Sequence, residues 1–167
     1  MRIFPALPGD ENNMSAIDFY LRQVGAPLGA TPRIECPPRD GGYAVIHPFS
    51  GSPRKNWPLS QFRALALELI KRMPVAWCAG PEEDLEEANR FEDLYELGCW
   101  LAGARVYVGN DSGITHLAAA VGAPVVALFG PTRPAVWAPR GDRVRVLRQE
   151  PIAELPLQAV IECIQWE

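Results

Sequence analysis

From residue 43 onward, short apolar runs alternate with longer stretches whose apolar residues recur at helical spacing. The runs are YAVIH (43–47), VAWC (75–78), RVYV (105–108), PVVALF (124–129) and the weaker VRVL (144–147), and each predicts a strand. Between them, LSQFRALALELIKR (59–72), the acidic stretch 82–90, DLYELGCWLA (93–102) and ITHLAAAV (114–121) predict helices. A last helix is predicted over about 152–166, and Pro58 suits a helical first turn, where its missing N–H does no harm. Strands with no polar alternation are buried on both faces. The pattern therefore predicts an α/β domain, a parallel sheet covered by helices on both sides. Ligands of such sheets sit beyond the carboxyl ends of the strands, which singles out the loops 48–57, 79–84 and 109–113.

Upstream, residues 1–13 read as an irregular lead-in, and MSAIDFYLRQV (14–24) predicts a helix stopped by Gly25. Residues 26–42, with PPRDGG, read as a connection rich in proline and glycine. The division is thus 1–42 as lead-in, helix and connection, and 43–167 as the compact domain. A length of 167 residues suits one ordinary domain rather than two. The balance of 48% hydrophobic and 22% charged residues is that of globular proteins.

A net charge of −4 gives no global basic field, so nucleic acid is not an expected partner and any anion must be held locally. The longest apolar run, 121–130, is interrupted by glycine and proline and is too short for a transmembrane segment. The N-terminal residues lack the apolar core of a signal peptide. Cys36, Cys78, Cys99 and Cys163 have no C-x-x-C spacing, and His47 and His116 are the only histidines. This argues against a zinc cluster and fits a reducing cytoplasm.

The chemistry concentrates in VGNDSGITH (108–116). Where a strand leads into a helix, the first helical N–H groups lack partners and, with the helix dipole, attract phosphate. Gly109 and Gly113 are expected to permit unusual backbone angles and close ligand approach. Ser112 adds a hydroxyl, and His116 an imidazole one turn on. Asp111 would repel phosphate, so a ligand it faces should offer hydroxyls, as a sugar does. The plain alternative is that Asp111 or Ser112 merely caps the helix, worth about 1 kcal/mol. A dipole contributes at most about 2 kcal/mol, so a useful site needs a second contributor.

HPFSGSPRKNWP (47–58) offers one, with Ser50, Gly51, Ser52, Arg54 and Lys55 just before a helix. It is not G-x-x-x-x-G-K-[ST], which argues against a P-loop ATPase. Lys55 supplies a point charge for phosphate, the plain alternative being a solvated surface lysine. Trp57 reads as a packing residue rather than a platform for a base.

Three segments, HPFSGSPRKNWPLSQFRALALEL, VAWCAGPEED and LYELGCWLAGARVYVGNDSGITHLAAAVGAPVVALFGPTRPAVW, resemble glycosyltransferase family 9 in order and spacing. This family comprises the ADP-heptose:lipopolysaccharide heptosyltransferases and their relatives, and the likeness is to its C-terminal half. The block GNDSGxxHLAAAxGxPVxALFGPT is long and specific, and residues 14–24 resemble the helix joining the two halves.

The resemblance implies a GT-B architecture of two Rossmann-like domains, with 43–167 as the three-layer αβα donor domain. It implies a sugar-nucleotide donor such as ADP-heptose, with no metal or other cofactor. It puts Ser50, Gly51 and Lys55 at the donor's phosphates, and Asp111, Ser112, Gly113 and His116 around diphosphate and sugar. Glu82 or Glu83 would hold the ribose. Lys55 and His116, with the Gly113 amide, would stabilise the leaving diphosphate as the anomeric centre inverts.

The family's general base is an aspartate of the N-terminal domain, and neither it nor a lipid or glycan acceptor surface has a counterpart in this chain. The chain is therefore expected to bind donor weakly and not to transfer sugar alone. Its expected location is the cytoplasm, with the complete enzyme peripheral to the inner membrane. An exposed apolar face is expected over the proline-rich connection and the final helix, open to self-association. Three alternatives stand beside this reading. They are another sugar nucleotide on the same architecture, a non-catalytic nucleotide-sugar-binding module, and a doubly wound domain whose loops are only well capped.

Overall fold

The computed structural model describes residues 14–37 and 41–164. Five strands, β1 (Tyr43–His47), β2 (Val75–Trp77), β3 (Ala104–Asn110), β4 (Val125–Phe129) and β5 (Val144–Arg148), form one sheet in the order β2-β1-β3-β4-β5. Every pairing is parallel. The chain enters at β1, adds β2 on one side, then crosses to build β3, β4 and β5 on the other. The connections after β1 and β3 therefore leave in opposite directions and open a crevice at the strand ends, where doubly wound sheets bind ligands. His47 is in register with Gly109, so both strands end at the same rim.

The helices are α1 (Ala16–Val24), α2 (Leu59–Leu69), α3 (Leu94–Ala102), α4 (Gly113–Ala120), α5 (Pro134–Trp137) and α6 (Leu157–Cys163). Alternate strand residues enter two separate cores. Ala44, Ile46, Val106, Val108, Val126 and Leu128 meet Phe62, Leu65 and Leu69 of α2 and Val160 of α6. Val45, Tyr107, Val125, Ala127 and Phe129 meet Leu97 and Leu101 of α3 and Ala118 and Ala119 of α4. Full burial of each such Leu, Val or Phe stabilises by about 1.5–3 kcal/mol. Two apolar faces per strand are what the unbroken runs encode, and the expected αβα layering follows.

α1 is fixed by its caps. Ser15 accepts from the Asp18 N–H at its start, and Gly25 closes it at φ 72°. Arg140 then clamps it to the 138–143 segment, donating to both Asp18 carboxylate oxygens (3.1 and 2.6 Å), to Ser15 Oγ (3.0 Å) and to the Ala30 carbonyl (2.9 Å).

Four expectations need correction. Residues 82–90 form turns, not a helix. Glu82/Glu86 and Glu83/Glu87 would be like-charge pairs one turn apart. Arg90 instead gathers the carbonyls of Glu83, Leu85 and Ala88, and Asn89 forms a parallel bridge with Cys78. The final helix is broken, with a short 3-10 turn at Ile152–Glu154 followed by α6, because Pro156 cannot donate the bond that would continue the turn. The predicted end of that helix, 165–167, lies outside the described residues.

The other two corrections concern glycines and the exposed face. Gly109 and Gly113 do not adopt a left-handed backbone. At Gly109 the requirement is space, since a Cβ would stand 2.5 Å from the Tyr107 hydroxyl. Finally, α6 does not carry the expected exposed apolar face, since Val160 and Ile164 are buried. Exposed apolar side chains lie on α1 and the connection (Tyr20, Val24, Leu28, Ile34), on the outer side of α2 (Leu67), at Ile70 just after it, and at the start of α3 (Leu94, Tyr95).

Candidate functional site

The rim where β1 and β3 end is organised from below by Asn110, which is 0% exposed. Its Oδ1 accepts from the Trp57 backbone N–H (3.0 Å), and its Nδ2 donates to the Pro48 carbonyl (2.8 Å). One side chain of β3 thus holds both ends of the 48–57 loop. Within the loop, Ser50 donates to the Ser52 carbonyl (3.0 Å) and meets Asn56 Oδ1 at 2.6 Å. The Trp57 indole, itself buried, donates to the Leu155 carbonyl at 2.9 Å. The loop is a fixed platform.

Two polar chains run across this platform. In the first, Asp111 Oδ2 accepts from Lys55 Nζ at 3.1 Å and from Thr132 Oγ1 at 2.7 Å, joining the loops after β1, β3 and β4. Asp111 is 7% exposed, and those two donors satisfy the carboxylate oxygen that burial removes from water. In the second, His47 Nδ1 lies 3.4 Å from Ser112 Oγ and His47 Nε2 lies 3.4 Å from Glu83 Oε2, joining the loops after β1, β3 and β2. Glu83 Oε2 also accepts from the Gly80 N–H at 2.6 Å. Burial raises the Glu83 carboxyl, but the hydrogen bonds from His47 and Gly80 outweigh it and hold the group below the usual range.

Ser112 is the N-cap of α4, its Oγ accepting from the Thr115 N–H at 3.4 Å. His116, one turn in, is held below the ordinary imidazole range by burial, against the pull of Asp111 and a hydrogen bond to the Trp137 backbone. It therefore stands neutral at pH 7, a donor rather than a fixed cation.

Two hollows meet at the start of α4. A polar cleft of about 290 Å³ is lined by His47, Ser50, Gly51, Gly80, Glu83, Ser112, Gly113 and Ile114. An apolar groove of about 390 Å³ runs beside it between α3 and α4, over Leu94, Tyr95, Gly98, Leu117 and Ile34. Gly113 and Ile114 line both. A ligand bridging them would have a polar and a flat apolar part.

The sequence profile of glycosyltransferase family 9 (heptosyltransferase) matches residues 30–163. The chain belongs to this family. Its likeness to lipopolysaccharide heptosyltransferase 1 of Escherichia coli K12 is 32% identity over 143 residues, covering 75% of this chain and 44% of that protein. To lipooligosaccharide heptosyltransferase 2 of Haemophilus influenzae it is 32% over 114 residues, covering 58% and 33%. The chain thus spans less than half the length of these relatives.

Among solved structures, Escherichia coli heptosyltransferase WaaC with ADP superposes at a TM-score of 0.69 with 23% identity, over 86% of this chain and 52% of that one. The glycosyl transferase family 9 protein of Veillonella parvula gives 0.68 at 22%, over 86% and 51%. At these identities the likeness is one of fold, a half of the GT-B heptosyltransferase architecture.

In this family 9 chain, Ser50, Gly51, Lys55, Glu83, Asp111, Ser112, Gly113 and His116 all gather at the one rim. Glu82 does not join them; it is exposed on the 79–84 loop while Glu83 turns inward. Lys55 and Asp111, expected to serve different parts of a ligand, are paired with each other. Thr132, Asn110 and His47 belong to the site and were not singled out by sequence. For Thr132 a signal existed, the GPT triplet of the quoted block. Among the described residues, no three His, Cys, Asp or Glu side chains form a metal-binding group, and no helix is long and apolar enough to cross a membrane.

Proposed function

We propose that this chain carries the donor site of an inverting heptosyltransferase of lipopolysaccharide core or related glycan synthesis, with a sugar nucleotide of the ADP-heptose class as donor. The observation that carries this reading is the meeting of two oppositely charged side chains, Lys55 and Asp111 at 3.1 Å, on the rim that opens at the N-terminus of α4. Family membership adds support, as do WaaC structures solved with ADP and with ADP-2-deoxy-2-fluoro heptose.

In this reading the diphosphate lies against the first amides of α4 and the Lys55 ammonium. Its arrival draws Lys55 away from Asp111, whose carboxylate turns to the sugar hydroxyls. Glu83, already ionised and at the cleft wall, is placed for the ribose. The nucleoside base lies on the apolar groove beyond Ile114. As the glycosidic bond to phosphate breaks, negative charge grows on the diphosphate; Lys55 and the α4 amides stabilise it, and His116, whose neutral ring spends its one N–H on the Trp137 backbone, contributes only on taking a second proton. The base that deprotonates the acceptor, and the acceptor surface, belong to the part of the relatives that this chain does not span. Transfer by the chain alone is accordingly not expected, no metal takes part, and the reaction is cytoplasmic.

Calorimetric titration with ADP, ADP-heptose and a UDP-sugar tests this. Binding of the two ADP compounds, weakened about tenfold by Lys55→Ala, is the expected result. Equal indifference to all three ligands would leave only a capped α/β domain. Binding of all ligands without transfer, even when the remaining part of such an enzyme is supplied, would favour a nucleotide-sugar-binding module.

A further inference from the structure

Thr132 enters the site from the loop after β4, and the reading above gives it no task. Its hydroxyl donates to Asp111 Oδ2 at 2.7 Å, and Lys55 Nζ donates to the same oxygen at 3.1 Å. Among the described residues, Oδ1 accepts no hydrogen bond, and no buried side-chain N or O atom lacks a partner. Oδ1 is therefore the carboxylate atom that reaches solvent. Oδ2 is the atom that is held.

The two donors differ in kind. Lys55 Nζ rides on a flexible four-carbon stem, its side chain is 29% exposed, and it can swing to a diphosphate. Thr132 has no such freedom. It stands between Pro131, whose ring fixes φ, and Arg133, which Pro134 confines to extended backbone, with φ −88° and ψ 114°. Its own β-branched side chain is stiff at χ1. The loop is also seated closely. A Cβ at Gly130 would stand 3.0 Å from Ile152 Cβ and 3.5 Å from the Arg54 carbonyl oxygen, and the Gly130 carbonyl accepts from Arg148 Nε at 3.4 Å. Asp111 is anchored from its side by its N–H, which donates to the Leu128 carbonyl at 3.0 Å.

A ligand that takes Lys55 removes one of two donors from a carboxylate that is 7% exposed. With Lys55 as sole donor, that carboxylate would lose both its orientation and the bond that offsets its burial. The Thr132 bond stays, and the carboxylate turns about it with Oδ1 leading. We propose that Thr132 is a positioning residue for sugar recognition: it keeps Asp111 Oδ2 in place once the diphosphate has taken Lys55, and so presents Oδ1 to the hydroxyls of the donor sugar. This rests on the reading of the rim as a sugar-nucleotide site. No covalent bond changes in the step; one hydrogen bond is exchanged and one is kept.

Calorimetry of the full chain with ADP and with ADP-heptose tests the proposal through the difference between the two ligands. Thr132→Val keeps the shape and loses the hydroxyl, so ADP should bind within about twofold of the unaltered chain and ADP-heptose about tenfold more weakly. Thr132→Ser restores the donor and should stay within about threefold for both ligands. On an Asp111→Ala background, Thr132→Val should change neither affinity further, because its acceptor is gone. Should Thr132→Val not fold, Thr132→Ala takes its place in the same comparison. Equal weakening of both ligands, no weakening of either, a serine variant as impaired as the valine one, or a further loss on the alanine background each overturns the proposal and leaves the nucleotide site standing. An unaltered chain that binds ADP-heptose no better than ADP removes the sugar contact and this proposal with it. Binding of neither ligand overturns the reading of the rim as well.

Discussion

Asn110 concentrates more of the site in one side chain than any charged residue of the rim. Both its amide atoms are used by backbone 53 and 62 residues away, and it is wholly buried. Asn110→Ala leaves the Trp57 N–H and the Pro48 carbonyl without partners, and the expected cost is about 3 kcal/mol in urea denaturation. A loss under about 1 kcal/mol would mean that the loop holds itself. Asp111 makes a prediction of opposite sign for two ligands. Asp111→Asn removes a carboxylate near the diphosphate and releases Lys55, so ADP should bind about fivefold tighter. ADP-heptose should bind more weakly, because the hydroxyl acceptor is gone. Calorimetry with both ligands checks the pair, and parallel weakening would place Asp111 on the phosphate side instead. Asp111 and Ser112 were legible in the sequence because they come straight after a strand, and Lys55 because it stands in a polar loop between a strand and a helix. Asn110 and His47 were not, because what makes them functional is a partner dozens of residues away, and a strand-end polar residue carries no local mark of it.

At the scale of elements, the strands were legible because burial on both faces leaves an unambiguous apolar run. The misread elements are those decided by long-range polar contacts. Residues 82–90 have helical composition, but Glu83 is drawn back to Gly80 and His47, and Arg90 takes three carbonyls of the segment. That unwound turn is what brings Glu83 to the rim. α1 shows the same logic. Arg140 holds the Asp18 carboxyl well below the usual carboxylate range, with further help from the Gly29 N–H. A depressed folded value means that the clamp is fully present above the unfolded carboxylate value of about 3.9 and fades as pH falls further. Arg140→Ala should raise hydrogen exchange of the α1 amides by about tenfold at neutral pH while β3 and β4 keep their protection. Unchanged α1 exchange would show that its apolar contacts alone suffice.

At the scale of the whole molecule, the carboxyl-end rim of the sheet gathers loops from four strands, and among the described residues charge, buried polar side chains and two adjoining hollows coincide there. A larger hollow of about 480 Å³ lies at the other end of the sheet, between residues 31–35, 119–123 and 141–144. Size alone would favour it; topology and chemistry favour the rim where β1 and β3 diverge. His116 adds a molecule-wide consequence. Its folded value lies below the unfolded value of about 6.5, so its contribution to stability is present above that value and declines as pH falls below it. The most direct measurement is a crystal structure of the chain with ADP. The diphosphate should lie within about 3 Å of Lys55 Nζ and the Gly113 N–H, with the base over Ile114. ADP seated instead in the hollow by residues 31–35 and 141–144 would contradict the account.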